Sequence, residues 1–172
     1  EKNLTVVELY TSQGCSSCPP ADAFLGELAK RDDLLALSIH VDYWDYIGWK
    51  DRFASPDNTK RQRAYAPKLG MRYVYTPQMI VQGANHATGS DRDKILALIA
   101  RTQKSKRGAV TINRAEDGVR VTVAGADTTE EAAVWLAVPL YFAQPSGRSR
   151  VPSQTPSCRY NRPRRAQFRP VP

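Results

Sequence analysis

The sequence predicts an α/β fold, in which a β-sheet is flanked by helices and followed by a small β extension. Apolar runs at residues 4–10 and 34–41 have the length and composition of buried strands. Between these runs, apolar residues recur at the spacing of an amphipathic helix, at Ala21, Phe24, Leu25 and Leu28. The order strand, helix, strand is typical of a parallel βαβ unit.

The next part of the chain predicts a second helix and a third strand. Ser55 and Pro56 have the residue types of an N-cap and a first helical position, and Gly70 ends the helix. Residues 73–81 have the composition of a strand, although Pro77 lies within them.

The last predicted elements are a turn, a helix and a small antiparallel unit. Residues 83–85 predict the turn, and a capping-box-like sequence starts a helix at residues 90–104. Residues 110–113 and 119–123 alternate apolar and polar side chains around a glycine turn, which predicts a hairpin. Residues 132–142 supply a candidate third strand for this extension.

The basic charge of the chain belongs to its C-terminal segment. The formal net charge of the 172 residues is +8, but residues 145–172 hold seven Arg, no Lys and no acidic residue. The rest of the chain is therefore close to neutral, and the charge does not predict nucleic-acid binding by the body of the protein. The longest apolar runs are also too short to span a membrane.

The composition divides the chain into three parts. We predict an α/β domain at residues 4–107 and a β-strand extension or partial second sheet at residues 108–143. Residues 144–172 are rich in Arg, Pro and Ser and predict a disordered tail. A truncated or frame-shifted end would explain this composition.

Cys15 and Cys18 form a C-x-x-C motif at the predicted junction of the first strand and the first helix. The spacing lets both sulfur atoms reach disulfide geometry within one turn. A helix N-terminus favours a thiolate through its unpaired N–H groups and its dipole. We therefore predict that Cys15, at the exposed loop tip, forms a mixed disulfide, and that Cys18, under the helix start, resolves it.

The position of the helix start affects this prediction. The residue before a proline avoids helical dihedral angles, so Cys18 is better suited to the N-cap than to the first turn. A helix that begins at Pro19 would leave Cys15 one turn before it, where the dipole acts less strongly.

Pro77 is the second feature that predicts a site. A proline cannot donate a hydrogen bond to a strand ladder, so a central strand should exclude it. A cis Thr76-Pro77 bond at the entry of the strand, facing the cysteines, would explain the exception. The backbone of Thr76 would then be free to pair with an extended substrate chain.

Other interpretations of these residues remain open. The cysteines could form a purely structural disulfide, and with His40 and His86 they could form a Cys₂His₂ metal site, although no spacing requires one. Asp42 could accept a proton from Cys18 at the end of the second strand. The aromatic residues of segment 43–53 fit either a substrate-binding face or core packing.

Three segments carry a family resemblance: Tyr10-Thr11-Ser12-Gln13-Gly14-Cys15-Ser16-Ser17-Cys18-Pro19-Pro20-Ala21-Asp22, His40-Val41-Asp42-Tyr43-Trp44 and Tyr75-Thr76-Pro77-Gln78. Together with the element order, they are similar to the thioredoxin superfamily. More narrowly, they resemble a bacterial family of exported, functionally uncharacterised thioredoxin-like proteins. The resemblance implies a thioredoxin-like mixed sheet flanked by helices.

The resemblance also implies a function and a site. Cys15 and Cys18 would be the redox pair and Pro77 the cis-proline, with Thr76 and Gly14 beside them on the substrate side. The implied partners are protein or small-molecule thiols and disulfides, without a metal or another cofactor, in the periplasm or outside the cell. Thioredoxin itself has Trp before its first cysteine and Gly-Pro between the two, whereas Gly14 and Ser16-Ser17 stand here.

Overall fold

A computed structural model describes residues 4–105, 110–116 and 118–123, and the backbone of residues 137–140 and 157–160. Its elements are β1 (Thr5–Thr11), α1 (Pro19–Leu28), β2 (Leu34–His40), a short 3-10 helix (Asp45–Ile47), α2 (Pro56–Lys68), β3 (Gln78–Val81), β4 (Asn85–Thr88), α3 (Arg92–Gln103), β5 (Val110–Ala115), β6 (Gly118–Val123), β7 (Ala137–Leu140) and β8 (Ser157–Tyr160). No helix in these ranges is both long enough and apolar enough to cross a bilayer.

The main sheet is mixed, and its central strands have the order β4-β3-β1-β2. Strand β1 is parallel to β2 and antiparallel to β3, and β3 is antiparallel to β4. The strands β8 and β7 follow beyond β2, while β5 and β6 form a separate two-stranded antiparallel sheet. The predicted α/β fold, with a helix-flanked mixed sheet and a small β unit, is confirmed.

Helices cover both faces of the central sheet. Alternate residues of β1 point to opposite faces, so Val7 and Leu9 pack with the buried side of α1 and with α3. Tyr10 packs on the other face, in a smaller apolar cluster. The helix α2 contacts β2, and its buried residues are polar: Asn58, Thr59 and Gln62.

Two strand boundaries differ from the prediction. The third strand begins at Gln78 rather than at residue 73, because Pro77 has no N–H for the ladder and the pairing starts after it. The predicted turn at residues 83–85 also contains the first residue of β4, a short strand of polar and small residues. The Arg-rich tail and residues 124–136 lie outside the described residues, except for the backbone of β8 in the tail.

Candidate functional site

The two cysteines lie in the loop of residues 12–18, between β1 and α1. The backbone N–H of Cys15 donates to the carbonyl of Ser12 at 3.1 Å, and the N–H of Cys18 donates to the carbonyl of Cys15 at 3.2 Å. These two turns bring the Cα atoms of the cysteines to 5.4 Å and their sulfur atoms to 2.17 Å. The C-x-x-C spacing therefore produces a disulfide pair, as the sequence predicts.

The helix start departs from the predicted electrostatics. Cys18 is the N-cap of α1 and Pro19 its first residue, so Cys15 lies one turn before the helix. Pro19 and Pro20 have no N–H groups, and the N–H groups of Ala21 and Asp22 both donate to the carbonyl of Cys18. The first four residues of α1 thus leave no unpaired N–H for the Cys15 sulfur, as the alternative of a helix that begins at Pro19 implies.

The expected contrast in exposure between the cysteines is also small. Cys15 is 3% exposed and Cys18 is fully buried, although Ser16 and Ser17 between them are exposed. The Cys15 sulfur lies 3.5 Å from the hydroxyl of Ser17. A thiolate that attacks the Cys15 sulfur must therefore approach beside Ser16 and Ser17 or displace them.

Pro77 lies at the same end of the sheet as the cysteine loop. The Thr76-Pro77 bond is cis, as the sequence predicts. Strand β3 starts directly after Pro77, and Gln78 pairs with Tyr10 near the end of β1. Pro77 is therefore next to the strand end from which the cysteine loop departs.

Gly89 lies between Pro77 and the first turn of α1. Its N–H donates to the carbonyl of Pro77 at 2.9 Å. A methyl group on Gly89 would lie only 2.9 Å from the Cβ of Ala21 and 3.1 Å from the Cβ of Pro77. A residue without a side chain is needed here because the helix that follows the cysteines and the proline segment both approach its Cα.

The backbone of Thr76 has free polar groups. In the part of the chain that the structure describes, neither its N–H nor its carbonyl has a hydrogen-bond partner. Its neighbours are fixed, because the amide of Gln62 donates to the carbonyl of Tyr75 at 2.8 Å. The Thr76 hydroxyl accepts from the indole N–H of Trp44 at 2.8 Å.

Residues 43–53, which we call the aromatic loop, cover one side of the cysteine loop. The indole N–H of Trp49 donates to the side-chain oxygen of Gln13 at 3.2 Å. A methyl group on Gly14 would lie 3.1 Å from both the Cβ of Trp44 and the Cδ1 of Ile47. Gly14 therefore allows close packing against the aromatic loop, and a side chain here would require Trp44 or Ile47 to shift by a few tenths of an ångström.

Asp51 is a buried carboxylate that ties the aromatic loop to the cysteine loop. It accepts hydrogen bonds from the backbone N–H of Gln13 at 2.8 Å and of Phe53 at 2.9 Å. It also accepts from Nδ1 of His40 at 2.6 Å. Burial alone would raise the pKa of Asp51, but these hydrogen bonds outweigh burial and hold the pKa below its ordinary value.

Asp22 is a second carboxyl near this cluster, in the first turn of α1. Burial raises its pKa above the ordinary value, against the opposing effects of the Thr11 hydroxyl and of His40, while the charge of Asp51 adds to the rise. The pKa values of Asp22 and Asp51 are thus shifted in opposite directions within one cluster.

The opposite pKa shifts predict opposite effects of amide substitutions on stability. The lowered pKa of Asp51 contributes stability that is present above the unfolded-state pKa of about 3.9 and is lost as the pH falls through the folded-state pKa. The raised pKa of Asp22 destabilises the folded protein once the pH exceeds the unfolded-state value. Urea unfolding at about pH 3, 5 and 7 measures both effects.

We expect Asp51→Asn to destabilise the protein at pH 7, with the loss shrinking toward pH 3. We expect Asp22→Asn to be more stable than the wild type at pH 7 and equal to it at pH 3. A stability difference that does not change with pH, for either variant, would contradict the assigned titration.

The other candidate residues of the sequence lie elsewhere. Nδ1 of His86 is 2.9 Å from the hydroxyl of Tyr75, and the Asp42 carboxylate accepts a hydrogen bond from the hydroxyl of Thr59. Asp42 is thus engaged by α2. Among the described residues, no three His, Cys, Asp or Glu side chains are grouped as metal ligands.

The sequence did not single out Asp51, Asp22 or Gln62. Asp51 stands in an irregular loop, and its partners Gln13 and His40 are distant in sequence. Gln62 carries a weak signal, because it is a polar residue on the side of α2 that faces the sheet. Contacts of this kind follow from the fold rather than from local spacing.

Comparisons with known proteins give a family and a structural neighbour. The model of a family described as "Protein of unknown function (DUF1223)" matches residues 6–145. An Agrobacterium tumefaciens protein, a target of the Northeast Structural Genomics Consortium, is 43% identical in sequence to this chain. Its crystal structure aligns with the structure of this chain with a TM-score of 0.61. The similarity covers 72% of this chain and 57% of that one, so this chain spans little more than half of its neighbour's length. A search of curated proteins found no match.

Proposed function

We propose that this chain, which belongs to the DUF1223 family, is a thioredoxin-like thiol–disulfide oxidoreductase that acts in the periplasm or outside the cell. One observation carries the proposal: Cys15 and Cys18 are paired at the start of α1, and Pro77 lies at the same end of the sheet. The strand order β4-β3-β1-β2 supports the thioredoxin-like assignment that the sequence motifs suggest.

The proposed reaction is a reversible exchange of two electrons. In the oxidising direction, a substrate thiolate attacks the Cys15 sulfur, the Cys15–Cys18 bond breaks, and Cys18 leaves as a thiolate that takes up a proton. A second substrate thiolate attacks the substrate sulfur of the mixed disulfide and releases Cys15. The substrate dithiol becomes a disulfide, and the protein disulfide becomes a dithiol.

The backbone of Thr76 supports a role in holding the substrate. Its N–H and carbonyl lack partners among the described residues, and they stand beside the strand end that leads to the cysteines. An extended substrate chain could pair with these groups as an added strand. Such pairing would bring a substrate sulfur toward Cys15.

A redox titration tests the function. We expect a reversible two-electron couple, with a midpoint potential in the span of about −270 to −120 mV found for such proteins. We also expect catalysis of insulin reduction or of oxidative refolding. The titration uses a Cys158→Ser background, because the third cysteine of the chain would otherwise form its own mixed disulfides.

The burial of both cysteines favours a second candidate function. The exposed fractions, 3% for Cys15 and 0% for Cys18, also fit a non-enzymatic binding module in which the disulfide is structural. In that case the bridge would resist dithiothreitol in the native protein, and neither assay would show turnover. The same titration therefore separates the two functions.

A further inference from the structure

The aromatic loop exposes apolar side chains to solvent. Tyr46 is 80% exposed, Trp49 is 61% exposed and Ile47 is 49% exposed, within four consecutive residues. Single exposed apolar residues are common, but a group of large ones marks an interaction surface. These three side chains are called the apolar patch below.

The apolar patch is fixed at the edge of the cysteine site. Trp49 is hydrogen-bonded to Gln13, two residues before Cys15, and Ile47 lies against Gly14. Tyr46 stacks near Trp44, with ring centroids 6.4 Å apart, and Trp44 holds the Thr76 hydroxyl. A molecule that reaches the cysteines or the Thr76 backbone therefore passes beside the apolar patch.

The acidic residues of the aromatic loop are less exposed than its basic residues. Asp45 accepts the backbone N–H of Asp51, and Asp51 accepts the N–H groups described above. The charged side chains that the loop exposes are Lys50 and Arg52. The outer face of the loop is consequently apolar and cationic, which complements an apolar and acidic partner.

On the basis of the proposed function, we propose that the apolar patch, with Lys50 and Arg52, is the docking surface for a polypeptide substrate. The substrate is an extended segment in which apolar and acidic residues flank a cysteine. The free backbone groups of Thr76 favour a polypeptide over a lipid surface, because they require partners with matching donors and acceptors.

The test compares two thiol substrates with the full chain carrying Cys158→Ser. One substrate is a synthetic peptide with one cysteine flanked by Phe, Leu and Asp, and the other is glutathione. The measured quantity is kcat/KM for the peptide divided by kcat/KM for glutathione. We expect Tyr46→Ser/Ile47→Ser to lower this ratio about tenfold, which corresponds to roughly 1.4 kcal/mol of lost binding free energy. A peptide with Lys in place of Asp should react more slowly with the wild type.

A matched control uses exposed apolar residues outside the loop. Leu35 is 38% exposed and Leu96 is 40% exposed, so Leu35→Ser/Leu96→Ser replaces two exposed apolar side chains away from the aromatic loop. We expect this control to leave the peptide-to-glutathione ratio within about twofold of wild type. Equal loss for both substrates in Tyr46→Ser/Ile47→Ser would overturn the docking surface, since the loop would then only support the cysteine site.

Two binding measurements complete the test. A peptide with Ser in place of Cys should bind the oxidised wild type, and Tyr46→Ser/Ile47→Ser should weaken the binding about tenfold. If the serine peptide binds but no thiol is turned over, the oxidoreductase function fails while the docking surface stands. Binding of the wild type to phosphatidylglycerol vesicles, with loss in the variant and without peptide binding, would overturn the proposal in favour of a membrane contact.

Discussion

Cys18→Ser should accumulate a stable mixed disulfide at Cys15, whereas Cys15→Ser should accumulate none at Cys18. Cys15 is the cysteine that keeps a small exposed fraction, and it is flanked by the exposed Ser16 and Ser17. Cys18 is fully buried as the N-cap of α1, beneath the helix start. The contrast in exposure is small, but it favours attack of an incoming sulfur on Cys15.

The size of this effect follows from the intramolecular position of Cys18. Well-oriented intramolecular reactions have effective molarities that reach about 10⁵ M or more, so removal of the resolving thiol should lengthen the lifetime of the adduct at least about a hundredfold. With Cys158→Ser in both variants, intact mass spectrometry after exposure to glutathione disulfide measures the glutathionylated fraction over time. Equal adducts on both variants would show that Cys15 has no preferred role.

The sequence predicts those parts of the fold that depend on local spacing. The apolar repeat of α1 gives the buried side of that helix, and Ser55 caps α2 by accepting the N–H of Asn58 at 3.2 Å. The hairpin of β5 and β6 likewise pairs Ala115 with Gly118 around the predicted turn. These features are decided within a few residues, so the residues themselves predict them.

The features that the sequence misses depend on contacts distant in sequence. Strand β4 is short and polar, and it becomes a strand because β3 pairs with it. Leu96 of α3 is 40% exposed although the apolar residues Ile95, Leu98 and Ile99 of the same helix are buried, because only one side of the helix faces the sheet. Cys15 is 3% exposed rather than at an exposed tip, and the packing of the aromatic loop on the adjacent Gly14 is likewise a tertiary contact that local spacing does not reveal.

Arg61→Met should strongly destabilise the protein. Glu8 lies in the central strand β1 with 4% of its side chain exposed, and the guanidinium of Arg61 on α2 forms an ion pair with its carboxylate. The hydroxyl of Tyr10 also donates to Glu8, at 3.4 Å. Removal of the guanidinium takes the cation of this ion pair away from a buried carboxylate.

The arginine also supports a neighbouring tyrosine. It donates to the hydroxyl of Tyr65 at 3.0 Å, and its guanidinium carbon lies 5.3 Å from the centre of that ring. Burial, together with the negative charge of Glu8, raises the pKa of Tyr65 to about 12, so this side chain stays neutral and adds no second negative charge beside Glu8. We therefore expect the free energy of unfolding to fall by about 3–5 kcal/mol.

Urea unfolding at pH 7 measures this loss, and two further variants identify its cause. Lys60 is adjacent to Arg61 and pairs with Asp57, but both side chains are more than half exposed, so Lys60→Met should change the stability by less than about 1 kcal/mol. Glu8→Gln/Arg61→Met removes both charges and keeps an acceptor for Tyr10, so it should recover much of the loss. A double variant as unstable as Arg61→Met would show that the arginine stabilises the fold through packing rather than by compensating the buried charge.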